Sequence, residues 1–390
     1  MSFSPNLAQT SPFPMGLEVD RAEGCYVYDG SQKRYLDLVS GIAVANIGHR
    51  HPHVIQAIKN QLDRYLHVMP FGEFSQAPQN ALAEKLANLL PDALDSTYFV
   101  NSGTEANEAA IKLAKRVTGR FEIVAMQGAY HGGTHGSLSV SGNETKKQGY
   151  RPFVPGTSFI PFNDEAALSA ITTKTAAVIV EPIMGDAGVR IPNRGYLLAL
   201  RKRCTEVGSL LIFDEIQTGL GRTGTLFAFE RYTVVPDILT TAKAFGGGMP
   251  IGAFISSKEN MKHLTHDPML GHITTFGGHP VCCAAALANL EVLTEHEEWI
   301  HEVDEKGSLF KSLLRHSRIK EVRQIGLMIA VEMESAEQVD AIIAGLMKRG
   351  IISFYFLSTR NAFRLAPPLC ITEEEIRWSC NEILATIEEL

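Results

Sequence analysis

Short apolar runs alternate with segments of helical periodicity through the middle of the chain, and that alternation limits the fold more than any other feature. Thr97–Val100, Glu122–Met126, Ala176–Val180, Leu210–Phe213 and the run from Ile238 read as strands, while Glu105–Thr118 and Tyr196–Val207 read as helices. Strand followed by helix, repeated, predicts an α/β chain: a mainly parallel sheet wrapped by helices. In such sheets, ligands sit just beyond the carboxyl ends of the strands. Polar residues able to do chemistry stand at those ends here: Asn101-Ser102-Gly103-Thr104, Tyr130-His131, Glu181-Pro182, Asp214-Glu215 and Lys243.

Lys243 lies between an apolar strand and the glycine run Gly246-Gly247-Gly248. A lysine in apolar surroundings loses part of its preference for the charged form, and a neutral amine can attack a carbonyl to give a Schiff base. Alone, it reads first as a solvated surface group, as most lysines are. In Asn101-Ser102-Gly103-Thr104-Glu105-Ala106-Asn107 the chain turns from strand directly into helix. The N–H groups of Gly103 and Thr104 then face outward at the positive end of the helix dipole, and the Ser102 and Thr104 hydroxyls can donate beside them. This is an anion cup or, more plainly, a Ser or Thr N-cap. Tyr130 in Gly128-Ala129-Tyr130-His131-Gly132-Gly133 is placed to lie over a ring or to cover a core edge. Asp214 follows Leu211-Ile212-Phe213, where a carboxylate needs a cationic partner: a protonated ring nitrogen, a salt bridge or a metal.

The 390 residues exceed a usual single domain and predict two. We expect a large domain over 46–300 and a smaller α+β domain built from 1–45 and 301–390. Leu17–Ser40 reads as a small antiparallel meander, Val54–Tyr65 and Gln76–Leu90 as helices, and 284–314 as long helices. Ile325–Met333 reads as one strand, Ala336–Lys348 as a helix, and Glu373–Leu390 as a final helix capped by Thr372. A net charge of −7 without long basic runs gives no footprint for nucleic acid or anionic lipid. There is no apolar run of membrane-spanning length and no basic residue before Arg21, so the expected compartment is the cytoplasm. The six cysteines show neither C-x-x-C nor zinc spacing and read as buried thiols of a reducing compartment. His49, His51 and His53 alternate around Pro52, which suits a helix-capping turn better than a metal site.

Taken in order, Asn101-Ser102-Gly103-Thr104-Glu105-Ala106, Tyr130-His131-Gly132, Glu181-Pro182-Ile183, Asp214-Glu215-Ile216-Gln217-Thr218-Gly219, Lys243, Thr274-Thr275-Phe276-Gly277-Gly278 and Arg364-Leu365-Ala366-Pro367-Pro368 resemble the class III aminotransferases. These are fold type I enzymes dependent on pyridoxal 5′-phosphate, and the similarity runs over nearly the whole chain, nearest the acetylornithine/ornithine branch. The resemblance implies that Lys243 forms the Schiff base with the cofactor and Asp214 pairs with its ring nitrogen. It further implies that Ser102, Gly103 and Thr104 hold the phosphate, Tyr130 stacks on the ring, Gln217 approaches the ring hydroxyl, and His131 and Glu181 complete the cofactor site. Thr275 would reach the partner's phosphate across a homodimer interface. Arg364, Asp186 and Thr274 would meet the substrates, with Arg364 binding a carboxylate of glutamate or 2-oxoglutarate.

Two departures from that branch bear on the amino donor. After His-Gly the branch usually carries an arginine for a substrate carboxylate, and here Gly133 stands there. The acid that pairs with Arg364 in the family is usually glutamate, and here it is Asp186, shorter by one methylene or ~1.3 Å, which predicts a looser pair or a water bridge. The expected reaction is transfer of an amino group from acetylornithine, ornithine or a similar ω-amino donor to 2-oxoglutarate. An ω-amine transaminase, an aminomutase or a non-catalytic PLP-binding protein are the alternatives.

Overall fold

A computed structural model describes residues 4, 6–70 and 72–390. The first strands are β1 (Val19–Glu23), β2 (Tyr26–Asp29) and β3 (Arg34–Asp37), an antiparallel meander as expected. The central strands are β4 (Ser96–Val100), β5 (Glu122–Met126), β6 (Thr157–Ile160), β7 (Thr175–Val180), β8 (Leu210–Asp214), β9 (Ile238–Thr241) and β10 (Gly252–Ser256). The C-terminal region adds β11 (Glu321–Ile325), β12 (Met328–Glu332), β13 (Ile351–Ile352), β14 (Phe354–Tyr355) and β15 (Ala362–Leu365).

The central strands form a seven-stranded sheet in the order β4-β10-β9-β8-β7-β5-β6. β6, β5, β7, β8 and β9 are parallel neighbours, while β10 runs antiparallel to both β9 and β4. The link from β9 to β10 explains this reversal. Residues 242–251 are too few for the crossover that a parallel neighbour needs, so the chain folds straight back. Because β10 is reversed between them, β4 and β9 point the same way. The carboxyl ends of β4, β5, β7, β8 and β9 therefore open on one edge of the sheet. β7 and β9 are wholly buried, which is why β7 is a nearly continuous apolar run after Thr175 rather than an alternating one.

The helices follow the expected pattern: Pro52–Leu62, Ala77–Leu89, Gly103–Thr118, Tyr196–Val207, Ala336–Lys348 and Glu373–Glu388. Thr372 caps the last of them in a reciprocal capping box with Glu375. Two expectations need correction. Of the expected strand Ile325–Met333, Met328–Glu332 is β12 and only Ile325 belongs to a preceding strand, β11, which pairs with β12 in a hairpin and is polar in sequence, its Arg323 paired with Glu321 and Glu332. The helical stretch from 284 is three pieces, Pro280–Glu295, Glu297–His301 and Val303–Leu313. Cys282 and Cys283 are buried in the first of these; Cys370 alone among the six cysteines is only half-buried. His49 bonds to Asp37 and His53 to Glu291, so these rings face different neighbours, while His51 precedes a helix beginning at Pro52. Among the described residues no helix is long and apolar enough to cross a membrane.

Two further sheets flank the central one. β11-β12-β15-β14 is antiparallel, and β1-β2-β3 is completed by β13, which pairs parallel with β3. Arg222, fully buried, ties these parts together: its guanidinium donates to the carbonyls of Leu327 and Pro367 and to Asn46 Oδ1. Truncation would leave those acceptors unpaired in the interior, at about 1–3 kcal/mol for each. Arg222→Ala is therefore expected to unfold at clearly lower urea concentration than the unaltered protein, a loss of about 3 kcal/mol or more. Coincident fluorescence-monitored transitions for the two would contradict this account.

Candidate active site

A cavity of about 670 Å³ opens on the edge where the strands end. It is lined by Ser102, Gly103, Thr104, Tyr130, His131, Gly133, Glu181, Asp186, Asp214, Gln217, Lys243 and Arg364, so most of the residues singled out from sequence share one space. Thr274 and Thr275 do not line it. Thr275 is exposed, and the Thr274 hydroxyl accepts a hydrogen bond from Gly277 N at 3.0 Å.

Asp214, at the end of β8, is buried, and three donors from three parts of the chain fix its carboxylate. Asn107 Nδ2 and His131 Nδ1 each lie 2.7 Å from Oδ2, and Ile216 N lies 3.1 Å from Oδ1. The orientation of Asn107 is itself set, since the Thr240 hydroxyl donates to its Oδ1 at 2.8 Å. A carboxylate only accepts, so His131 carries its proton on Nδ1. Its buried Nε2 has no partner among the described residues. Glu215, the next residue, turns away from the cavity: its oxygens accept from Ala228 N, Phe229 N and the Thr218 hydroxyl. Burial pushes the Glu215 carboxyl up to about 7. The adjacent acids thus diverge, which removes the paired-carboxylate geometry a metal would need.

Lys243 follows β9 in a left-handed conformation, φ 47°, unusual for a residue with a side chain. Such strain persists where surrounding structure enforces it. Here Phe245 and Ala244 are buried just beyond, and Gly247, at φ 58°, completes the turn. The ammonium is reached only from the cavity and has no hydrogen bond or ion pair to any described residue. Burial pushes its pKa below the ordinary lysine value, against the opposing pull of the Asp214 and Glu181 carboxylates.

At the start of the helix Gly103–Thr118, Ser102 is the N-cap and its hydroxyl oxygen accepts from Glu105 N at 3.3 Å. Glu105 in turn accepts from Asn101 N and Nδ2 at 2.7 and 2.9 Å, fixing the strand-to-helix turn. Both the N-cap and the anion-cup readings describe this turn, because the cap leaves the N–H groups of Gly103 and Thr104 without intrahelical partners. One detail differs from expectation: the Thr104 hydroxyl bonds to Ser137 and Thr134 at 2.6 and 2.8 Å instead of standing free. Glycine at 103 also answers to packing, since a Cβ there would come within 2.6 Å of Ile216 Cδ1.

Tyr130 keeps 40% of its surface exposed at the cavity, and its N–H donates to Glu181 Oε1 at 3.0 Å. Glu181 Oε2 accepts from Gly185 N at 3.0 Å, so this buried acid, pushed up to about 7 by desolvation, holds the Tyr130 loop and the 185 turn together. Arg364 in β15 is buried, lies over the Phe356 ring at 4.5 Å and donates through Nη2 to Asp186 Oδ1 at 3.0 Å. Burial lowers its pKa and Asp186 opposes the shift. The Asp186–Arg364 contact is direct, which corrects the expected loose or water-bridged pair. At Gly133 a Cβ would meet nothing within 4 Å, so the place where the branch carries its arginine is open space.

Sequence reasoning missed the cavity's apolar wall. Ser40, Gly41, Ile42 and Ala43 all have positive φ, between 52° and 67°, forming a left-handed turn that brings Ile42 and Val44 to the cavity. Asp37 Oδ1 accepts from Val39 N and Ser40 N at 2.9 Å, and the Ser40 hydroxyl donates to Ala366 O at 2.7 Å. Gly41 was the only sequence signal for it. Phe354 and Leu357 line the opposite side.

The donor set fits pyridoxal 5′-phosphate: a desolvated amine without a partner, helix N–H groups for a phosphate, and a fixed carboxylate for a ring cation face one cavity. The family Aminotransferase class-III matches residues 8–387. The chain is 43% identical to the acetylornithine aminotransferase of Methanocaldococcus jannaschii over 91% of this chain and 89% of that one. It is 38% identical to a [LysW]-aminoadipate semialdehyde/glutamate semialdehyde transaminase of Sulfolobus acidocaldarius, over 94% and 93%. Among solved structures, an ornithine aminotransferase from Toxoplasma gondii with partial PLP occupancy at its active site superimposes with a TM-score of 0.92 at 31% identity, covering 99% of this chain and 92% of that one.

A lowered pKa means Lys243 reaches its neutral, reactive form at lower pH than surface lysines. In cofactor-free protein, labelling of Lys243 by an amine-acylating reagent is expected to inflect at lower pH than labelling of exposed lysines, followed by peptide mass spectrometry. Inflection together with them would refute the desolvation argument.

Proposed function

The chain belongs to the class III aminotransferases, which work with pyridoxal 5′-phosphate, and from that premise we propose that it moves the terminal amino group of acetylornithine, ornithine or a similar donor to 2-oxoglutarate. The observation that carries this reading is the buried Arg364–Asp186 pair in the same cavity as Lys243. One cavity must accept two substrates in turn. An arginine that can be neutralised by its own aspartate or by a substrate carboxylate serves both.

When bound, pyridoxal 5′-phosphate supplies an electron sink for the pair released as the C–H bond beside the amine breaks. The neutral Nζ of Lys243 would take that proton and deliver it to a different carbon, a task suited to its lowered pKa. Asp214, steadied by Asn107 and His131, would pair with the ring nitrogen. The N–H groups of Gly103 and Thr104, with the Ser102 hydroxyl, would hold the phosphate, and Tyr130 would stack on the ring. Gln217 and Glu181 border the site, while Thr274, outside the cavity, has no place in this reading. Arg364 anchors the acceptor's carboxylate.

We take the enzyme to be a homodimer, with residues 46–300 carrying the cofactor and the two chain ends forming the smaller domain. In support, the exposed apolar residues Leu66, Met69, Phe74, Ile273 and Phe276 stand on two segments that meet where His67 touches the Phe276 ring. Thr275, exposed on the second segment, is available to a partner's phosphate. The acetylornithine reading belongs to arginine biosynthesis in the cytoplasm.

Incubating the holoenzyme with acetylornithine and 2-oxoglutarate is expected to yield glutamate, and Lys243→Ala to lose at least ~10³-fold of that rate. Failure of wild type with every ω-amino donor tried would overturn the substrate assignment. The open space at Gly133 makes a second expectation. Gly133→Arg adds a guanidinium on a Cβ that meets nothing within 4 Å and should lower KM for carboxylate-bearing donors by roughly tenfold. An unchanged KM would show that donor carboxylates do not approach this side.

A further inference from the structure

Asp186 is held by more than its arginine. Its Oδ1 also accepts from Leu357 N at 3.1 Å, and its Oδ2 accepts from the Ser358 hydroxyl at 3.1 Å. Ser358 Oγ in turn receives Asn143 Nδ2 at 2.9 Å. The direction of this chain of hydrogen bonds is fixed from its far end. Thr145 N, which can only donate, lies 3.1 Å from Asn143 Oδ1, and the Thr145 hydroxyl lies 2.6 Å from the same oxygen. Asn143 therefore presents its NH₂ to Ser358, and the serine proton points at Asp186.

We propose that Ser358, polarised by Asn143, is a positioning residue that selects for the 2-oxo acid acceptor by stabilising Asp186 while Arg364 is occupied by substrate. The proposal rests on the reading of Arg364 as the acceptor's anchor. A buried carboxylate that loses its cation is costly unless other donors remain. In the donor half-reaction Asp186 keeps Arg364, and Ser358 contributes little that the ion pair does not. In the acceptor half-reaction the incoming carboxylate competes for Arg364, and Asp186 is left with Leu357 N and Ser358. Arg364 has capacity for this exchange, since its buried Nε has no partner among the described residues.

This arrangement differs from a swinging acid. Asp186 is tethered on both oxygens by residues 357 and 358, so the aspartate stays and the hydrogen bonds of the arginine redistribute. The direct 3.0 Å contact despite the short side chain agrees with a fixed acid.

The two half-reactions can be followed separately in the holoenzyme by the cofactor's absorbance, first with an amino donor alone, then with 2-oxoglutarate added to the aminated form. Ser358→Ala is expected to raise KM for 2-oxoglutarate about five- to tenfold, with kcat and the donor half-reaction within about twofold of wild type. Ser358→Thr should restore the acceptor KM. Asn143→Asp, nearly isosteric, takes the serine proton for itself and should reproduce the acceptor defect even where Ser358→Ala fails to fold. Equal damage to both half-reactions, or none to either, overturns the proposal. Arg364→Gln separates the two readings. If it abolishes acceptor use while Ser358→Ala changes nothing, the anchor stands and the serine's role falls; if it leaves acceptor use intact, the anchor itself falls, and the serine's role with it.

Discussion

A negative charge at the end of a strand buried in all but its first residue organises this site. Asp214 closes β8 behind Leu211, Ile212 and Phe213, all without solvent exposure. Leaving that carboxylate unpaired there would be prohibitive. Its donors come from the helix after β4, the loop after β5 and the turn after β8, so meeting its need aligns three strand ends with one another. Thr240, three residues before Lys243, joins the network through Asn107. The same hydrogen bonds that make the charge tolerable thus set the distance between the carboxylate and the lysine. The same carboxylate lines the cavity.

Much of the sheet was legible because its strands are buried on both faces and read as unbroken apolar runs. β11 was not, since Glu-Val-Arg-Gln-Ile looks like a solvated segment until the partners of Arg323 are known. The strand ends were legible as places, and the types of residue there pointed to amine, anion and cation chemistry. Backbone strain was not. Nothing in Thr-Ala-Lys-Ala announces that Lys243 sits at positive φ, and Ser-Gly-Ile-Ala offers one glycine for four consecutive left-handed residues. Both conformations are imposed by contacts from distant parts of the chain, such as the bond from Ser40 to Ala366, which local sequence does not carry.

The Asp186–Arg364 pair shows the same limit from another side. Counting methylenes predicted a gap, because side-chain length was compared with no knowledge of backbone separation. In the fold, Gly185 and Gly188 shape the turn that bears Asp186, and Gly185 lies so close to Gln217 that a Cβ would fall 1.8 Å from its Oε1. Asp186 reaches Arg364 directly and gains tethers from residues 357 and 358 as well.

The pairing of β3 with β13 has a consequence for how the protein is made. Ile351 completes an edge begun at Leu36. On a ribosome adding about 5–20 residues per second, the two emerge roughly 15 to 60 s apart. Through that interval the first meander carries an unpaired edge, the kind of surface that invites wrong partners. The left-handed turn at 40–43 likewise lacks Ala366 until more than 300 further residues have been added. The cavity wall that carries Ile42 and Val44 is thus set long after its own residues emerge, which makes the acquisition of an active site wait on a distant stretch of chain.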